Sequence, residues 1–266
     1  QSTVQENLTS ETRKHHKQKN KKDIGAWMGV SKTLQRTKQD QIESGYERLY
    51  IGTGCFWCIE AVFGKLVQNE STKTTKDHTY GAAIFSTSVG YMGGDNSQYL
   101  TDDKKQYTGG PCYEDICTGQ SGQAEVMKLV YDPGKITLRE IMKTYWQVHN
   151  PTTKNQQGGD RGTQYRSCIY YTNDDQKAII EETKNNFQKR LNDQYNGRNK
   201  EITTEIKPAQ GMVYWLAEDY HQQYDFKPGS RSYCGLDPTG VELDIGDGSA
   251  PAAGSCPLPP RKGGNL

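Results

Sequence analysis

The stretch RLYIGTGCFWCIEAVFGKL, residues 48–66, prescribes a strand, a tight turn and a helix in immediate succession. An apolar run ends in Gly-Thr-Gly. Ile59, Val62, Phe63 and Leu66 then recur at i, i+3, i+4 and i+7, the stripe of an amphipathic helix. A helix entered this abruptly from a strand must lie against the sheet that the strand belongs to. The rest of the chain repeats the alternation. YGAAIFSTSVGYMGG, GQAEVMKLVYDP and QYRSCIYYT read as strands closed by turn residues. TLREIMKTYWQVHNP opens on a capping box, Thr137 with Glu140, and stops at Pro151. Residues 174–195 form the longest helix candidate, with Ile179, Ile180, Thr183, Phe187 and Leu191 on one side. The expected fold is α+β, a two-layer arrangement of helices packed on a mixed β-sheet, with extended tails at both ends.

Only 32% of the 266 residues are hydrophobic, so the apolar residues must be concentrated in part of the chain. They fall within 48–236. Residues 1–47 lack a sustained period and include RKHHKQKNKK (13–22), six of whose ten residues are Lys or Arg; the segment reads as a solvated, disordered basic tail. Residues 237–266 are rich in Gly and Pro and read as a second irregular tail. A formal charge of +1 argues against whole-protein attraction to nucleic acid or a membrane surface. No apolar run reaches the ~18–20 residues of a spanning helix, and residues 1–30 lack the apolar core of a secretory signal. A cytoplasmic monomer is expected, although a chain beginning at Gln1 leaves a processed or organellar form open. Seven cysteines, an odd number in a chain this long, suit a reducing compartment and a redox or metal role.

Cys55 is the first of these to carry chemistry. It stands at the first turn of its helix and off the apolar stripe, where unpaired N–H groups and the positive dipole end favour a thiolate. Phe56 and Trp57 cannot both follow one stripe, so at least one ring should wall the space around the sulfur. Cys58 lies three residues on, about 5–6 Å away on a helix, within the usual disulfide range of roughly 4.4–6.8 Å. CFWC by itself therefore suits a dithiol redox pair, or half of a zinc site completed by Cys112 and Cys117. Glu125 heads a face of AEVMKLVY that continues through Met127, Leu129 and Tyr131. If desolvated it would stay protonated near neutrality and could donate a proton; alternation alone favours the ordinary alternative, a carboxylate exposed at the strand end. QQGGDRGTQYRS (156–167) is a polar loop of the kind on which sites are built. Cys234, between Tyr and Gly in a turn-prone segment, is placed to travel to a reactive sulfur elsewhere.

The motifs GCFWC, GYMGG, CTGQSGQAE, VHNPT, QGGDRGTQYRS, AEDYHQQY and YCG occur here in an order and spacing similar to the A-type peptide-methionine sulfoxide reductases. The resemblance covers residues 48–236 and implies a ferredoxin-like core. It implies that Cys55 is the nucleophile, Phe56 and Trp57 the pocket for the substrate methyl group, and Glu125 the acid that protonates the sulfoxide oxygen. Tyr113 and Tyr165 would hydrogen-bond that oxygen, with Asp160 in support. Cys234 would resolve the sulfenic acid and Cys256 would relay electrons from thioredoxin; Cys58, where the family commonly has glycine, is a further resolving candidate. Gln123 and Asn150 stand where His and Asp are frequent. Cys112 and Cys168 match no family role and are read as structural. The implied activity is reduction of the S-epimer of methionine sulfoxide, free and in proteins, with no cofactor or metal and with thioredoxin as external reductant. The alternative is a general thiol–disulfide oxidoreductase built on Cys55 and Cys58.

Overall fold

The computed structural model describes residues 45–68, 83–100, 109–196, 200–230 and 233–245. The basic run at 13–22 and Cys256 lie outside the described residues. Six strands form one mixed sheet: β1 (Glu47–Thr53), β2 (Ile84–Met92), β3 (Ala124–Tyr131), β6 (Ser167–Tyr171), β7 (Glu205–Pro208) and β8 (Trp215–Leu216). Their order across the sheet is β7-β6-β1-β3-β2-β8. β1 runs antiparallel to β3 and β6, and β2 antiparallel to β3, whereas β6 and β7 are parallel. Helix α1 (Phe56–Gln68) connects β1 to β2, and α3 (Leu138–Val148) connects β3 to β6. The unit is thus βαββαβ with its four strands in ferredoxin-like order. A short helix α2 (Tyr113–Cys117), a long α4 (Asp174–Gln194) and a two-residue hairpin, β4 (Gln156–Gln157) with β5 (Asp160–Arg161), complete the elements used below.

Strand alternation sorts the core. Leu49 and Ile51 of β1, Met127, Leu129 and Tyr131 of β3, and Ile169 of β6 face the helices. They pack against Ile59 and Phe63 of α1, Ile141, Met142 and Trp146 of α3, and Ile180, Phe187 and Leu191 of α4. Thr183, a polar member of the α4 stripe, is satisfied by the Trp146 indole N–H at 3.1 Å. The capping box at the head of α3 forms as the sequence predicts, with Glu140 N donating to Thr137 Oγ1 and Thr137 N to Glu140 Oε2. The opposite sheet face, with Tyr50, Val126, Cys168 and Tyr170, is covered by Ala209, Met212 and Tyr214 rather than by a helix.

The packed part of the chain continues beyond 236. Val241 and Leu243 are buried in the main core cluster and Ile245 packs against it. Two apolar side chains in alternation, within GVELDI, anchor a segment whose Gly and Pro content suggested a tail. No described helix is long and apolar enough to cross a membrane.

Candidate active site

Antiparallel register brings the chemistry to one end of the sheet. Ile51 of β1 pairs with Met127, Thr53 pairs with Ser167 at the start of β6, and Tyr91 at the end of β2 pairs with Glu125. The end of β1, the starts of β3 and β6 and the end of β2 therefore meet, and Gly54 turns the chain from β1 into α1 at this point. Its φ of +105° and its approach to Gln157, within 2.5 Å of where a Cβ would sit, exclude a larger residue. Cys55 follows, nearly buried, at the positive end of α1.

Glu125 is 1% exposed, so the strand-end reading from alternation is overturned. Its Oε2 accepts a hydrogen bond of 3.0 Å from the Phe56 N–H, one of the amides that a helix leaves unpaired in its first turn. Burial raises its pKa to about 8; the Phe56 bond opposes the rise and the nearby Asp160 adds to it. A carboxylic acid that is protonated at neutral pH is thus fastened to the residue after Cys55. Tyr113, the first residue of α2, and Tyr165, which leads into β6, both lie within electrostatic reach of Glu125, whose ionisation would push their hydroxyls further up. Burial pushes both hydroxyls up, Tyr165 to about 12, so each remains a donor.

Phe56 and Trp57 belong to one aromatic cluster with Tyr91, Tyr113 and Trp215. Trp57 stacks on Tyr224 with centroids 3.9 Å apart, and the His221 ring lies against Phe56, Trp57 and Tyr113. His221 and Glu218 were not singled out in the sequence. His221 is buried, its two nitrogens lack hydrogen-bond partners, and burial lowers its pKa to about 4, so it is a neutral aromatic wall. Glu218 accepts from the Tyr113 N–H at 2.9 Å and from the Tyr91 hydroxyl at 2.8 Å, which fixes the helix carrying Tyr113. Both lie in AEDYHQQY, but only the fold shows which of its polar residues turn inward. Glu60, buried on α1 and raised to about 8 by burial, holds the Gln223 N–H at 2.7 Å and so pins this segment to the helix.

Three thiols converge. The Cys58 sulfur lies close enough to both Cys55 and Cys234 for each to shift its pKa. It accepts from the Gly235 N–H at 3.3 Å and donates to the Tyr233 carbonyl at 3.6 Å. The Cys234 contact favours the Cys58 thiolate, but the Cys55 thiol and burial outweigh it and push the Cys58 pKa up. The Cys58 contact and burial push Cys234 up. The sequence-based expectation that Cys234 travels to the site is corrected, because the backbone on both sides of it already holds the Cys58 sulfur. Asp160 accepts from the Tyr233 hydroxyl at 2.7 Å. The other cysteines stand apart. Cys112 is exposed and its thiol donates to Asp115 at 3.2 Å, Cys117 is exposed, and Cys168 is buried in the sheet. Of the two read as structural, Cys168 lies in the core and Cys112 on the surface. Among the described residues no group of three or more His, Cys, Asp or Glu is arranged to hold a metal ion.

The family model for peptide methionine sulfoxide reductase matches residues 47–244. The chain belongs to this family. It is 40% identical over 199 residues to the peptide methionine sulfoxide reductase MsrA of Vibrio cholerae, covering 75% of this chain and 78% of that protein. The corresponding protein of Photobacterium profundum is 40% identical over 202 residues, covering 76% and 81%. Among solved structures, reduced Mxr1 from Saccharomyces cerevisiae matches with a TM-score of 0.54 at 28% identity, over 74% of this chain and 94% of that one. Methionine sulfoxide reductase A of Corynebacterium diphtheriae matches with a TM-score of 0.51 at 31% identity, over 73% and 84%. In this member of the peptide methionine sulfoxide reductase family, Gln123 and Asn150 do local structural work. Gln123 accepts from Gly94 N and donates to Asn96, and the Asn150 side-chain Oδ1 accepts from Thr152 N and Oγ1.

Proposed function

We propose that this chain reduces the S-epimer of methionine sulfoxide, free and within proteins, taking the two electrons from its own thiols and recovering them from thioredoxin. The observation that carries the reading is the protonated, buried Glu125 bonded to the amide of Phe56, next to Cys55 and facing two tyrosine hydroxyls. Cys55 attacks the sulfoxide sulfur as a thiolate while Glu125 gives its proton to the oxygen, which Tyr113 and Tyr165 hold. Thiolate, sulfoxide and one proton become a cysteine sulfenic acid and methionine. Phe56 and Trp57 enclose the methyl group, and with oxygen and methyl both fixed only one configuration at sulfur faces Cys55.

The Cys58 thiol then condenses with the sulfenic acid, releasing water and forming Cys55–Cys58. That step removes one cause of the raised Cys234 pKa, and Cys234, whose flanking backbone holds the Cys58 sulfur, is placed to attack it. Its attack on Cys58 gives Cys58–Cys234 and returns Cys55 as a thiolate. No cofactor enters this scheme. General thiol–disulfide exchange has no use for a neutral carboxyl between two tyrosines. Thiol-dependent turnover of the separated epimers tests the proposal. Turnover of the S-epimer alone is expected; comparable rates on both would overturn it.

A further inference from the structure

The hairpin β4–β5 does more than present Asp160. It forms a cradle for the backbone on either side of Cys234. The Tyr233 hydroxyl donates to Asp160 Oδ1 at 2.7 Å. Gly235 lies so close that an added Cβ would come within 2.6 Å of Asp160 Oδ2, and a Cβ on Gly158 would come within 2.4 Å of the Gly235 carbonyl. The Asp237 N–H donates to Gln157 Oε1 at 3.2 Å. On the other side, Gly235 N–H and the Tyr233 carbonyl bracket the Cys58 sulfur. Cys234 is thereby clamped between the hairpin and α1. Within the clamp the Tyr233–Asp160 bond is the one contact that is made by side chains on both sides, reaches a carboxylate, and can be deleted without altering the backbone.

We propose that Tyr233 is a positioning residue that latches the Cys234 segment to Asp160 and so sets the rate at which the disulfide passes from Cys55–Cys58 to Cys58–Cys234. The inference rests on the relay proposed above. The step it controls is an exchange: the Cys234 sulfur bonds to Cys58, the Cys55–Cys58 bond breaks, and the proton lost by Cys234 balances the thiolate released at Cys55. No outside oxidant or reductant takes part. Because the exchange frees Cys55, a protein without reductant makes a second methionine only after it has occurred. Asp160 also adds to the rise in the Glu125 pKa, so one carboxylate touches both halves of the cycle.

The test is rapid-quench reaction of the full chain with the S-epimer and no reductant, scoring methionine per protein and mapping disulfides by mass spectrometry. Wild type should give a first equivalent with Cys55–Cys58, then a second as Cys58–Cys234 appears. In Tyr233→Phe the first equivalent should form at the wild-type rate. The second, together with Cys58–Cys234, should slow by roughly ten- to hundredfold, the range for losing a hydrogen bond to a charged group. A loss of structure would slow both phases. As conservative rescue, Asp160→Asn keeps an acceptor for Tyr233 and should retain more of the second phase, relative to the first, than Asp160→Ala. A second phase at wild-type rate in Tyr233→Phe overturns the latch and leaves the relay standing. A wild-type protein that never forms Cys58–Cys234 overturns the relay, and the latch with it.

Discussion

Replacing Glu125 with Gln separates what the buried acid does for the reaction from what it does to the fold. Gln keeps an acceptor oxygen for the Phe56 N–H but has no proton to give, so the single-turnover rate should fall by roughly 10²–10⁴-fold. Stability should move the other way. In the folded protein the Glu125 pKa is raised from 4.5 to about 8, chiefly by desolvation. A raised carboxyl pKa contributes stability that is fully present below pH 4.5 and lost as pH rises through 8. In that window the unfolded chain releases the proton more readily than the native one. With those two values the loss at pH 8 approaches ~4 kcal/mol, an upper figure. Gln does not ionise, so the variant should be the more stable protein at pH 8, by a melting-temperature difference of order 10 °C, and the difference should shrink towards pH 4.5. Chemical denaturation of both proteins at pH 4.5 and pH 8, beside rapid-quench kinetics, measures both effects. A variant as inactive as expected but no more stable at pH 8 would refute the claim that Glu125 is held neutral by burial.

The same carboxyl sets the alkaline limit of the reaction: the single-turnover rate should decline above pH 8, and a rate still rising at pH 9 would remove Glu125 as the proton donor. Glu218→Ala releases both Tyr113 N–H and the Tyr91 hydroxyl; kcat should fall by roughly tenfold or more, the equivalent of one or two hydrogen bonds to a charged group, with a smaller change in KM. Ending the chain at 236 removes Val241 and Leu243 from the core, which should cost about 3–5 kcal/mol by the worth of two buried aliphatic side chains; denaturation midpoints of the two lengths measure it.

What the sequence disclosed follows from what is local. α1, α3 and α4 carry 3.6-residue periods, α3 and α4 with capping residues as well, and β1, β3 and β6 run into Gly, Pro or Asn, so periodicity and punctuation sufficed. The place of Cys55 was also legible, because it lies off the stripe of its own helix. The state of Glu125 was not answerable. Alternation puts it on the core-facing side, but only the packing of α1 over the start of β3 decides between exposure and desolvation. Tyr113 and Tyr165 entered by resemblance alone, since a tyrosine in a loop has no period. Glu218 and His221 sit among other polar residues, and only their packing against Tyr91, Tyr113, Phe56 and Trp57 shows that they face inward. Cys234 looked mobile because glycine follows it; here Gly235 permits a close approach instead of motion.

The central claim is that Cys55 takes the sulfoxide's oxidation onto its own sulfur. A Cys58→Ser/Cys234→Ser protein tests it most directly, because both neighbouring thiols that could resolve the product are gone. After one reaction with the S-epimer and no reductant, mass spectrometry of trapped peptides should place one sulfenic acid on Cys55, in step with one methionine released. Methionine formed with Cys55 unmodified would contradict the account.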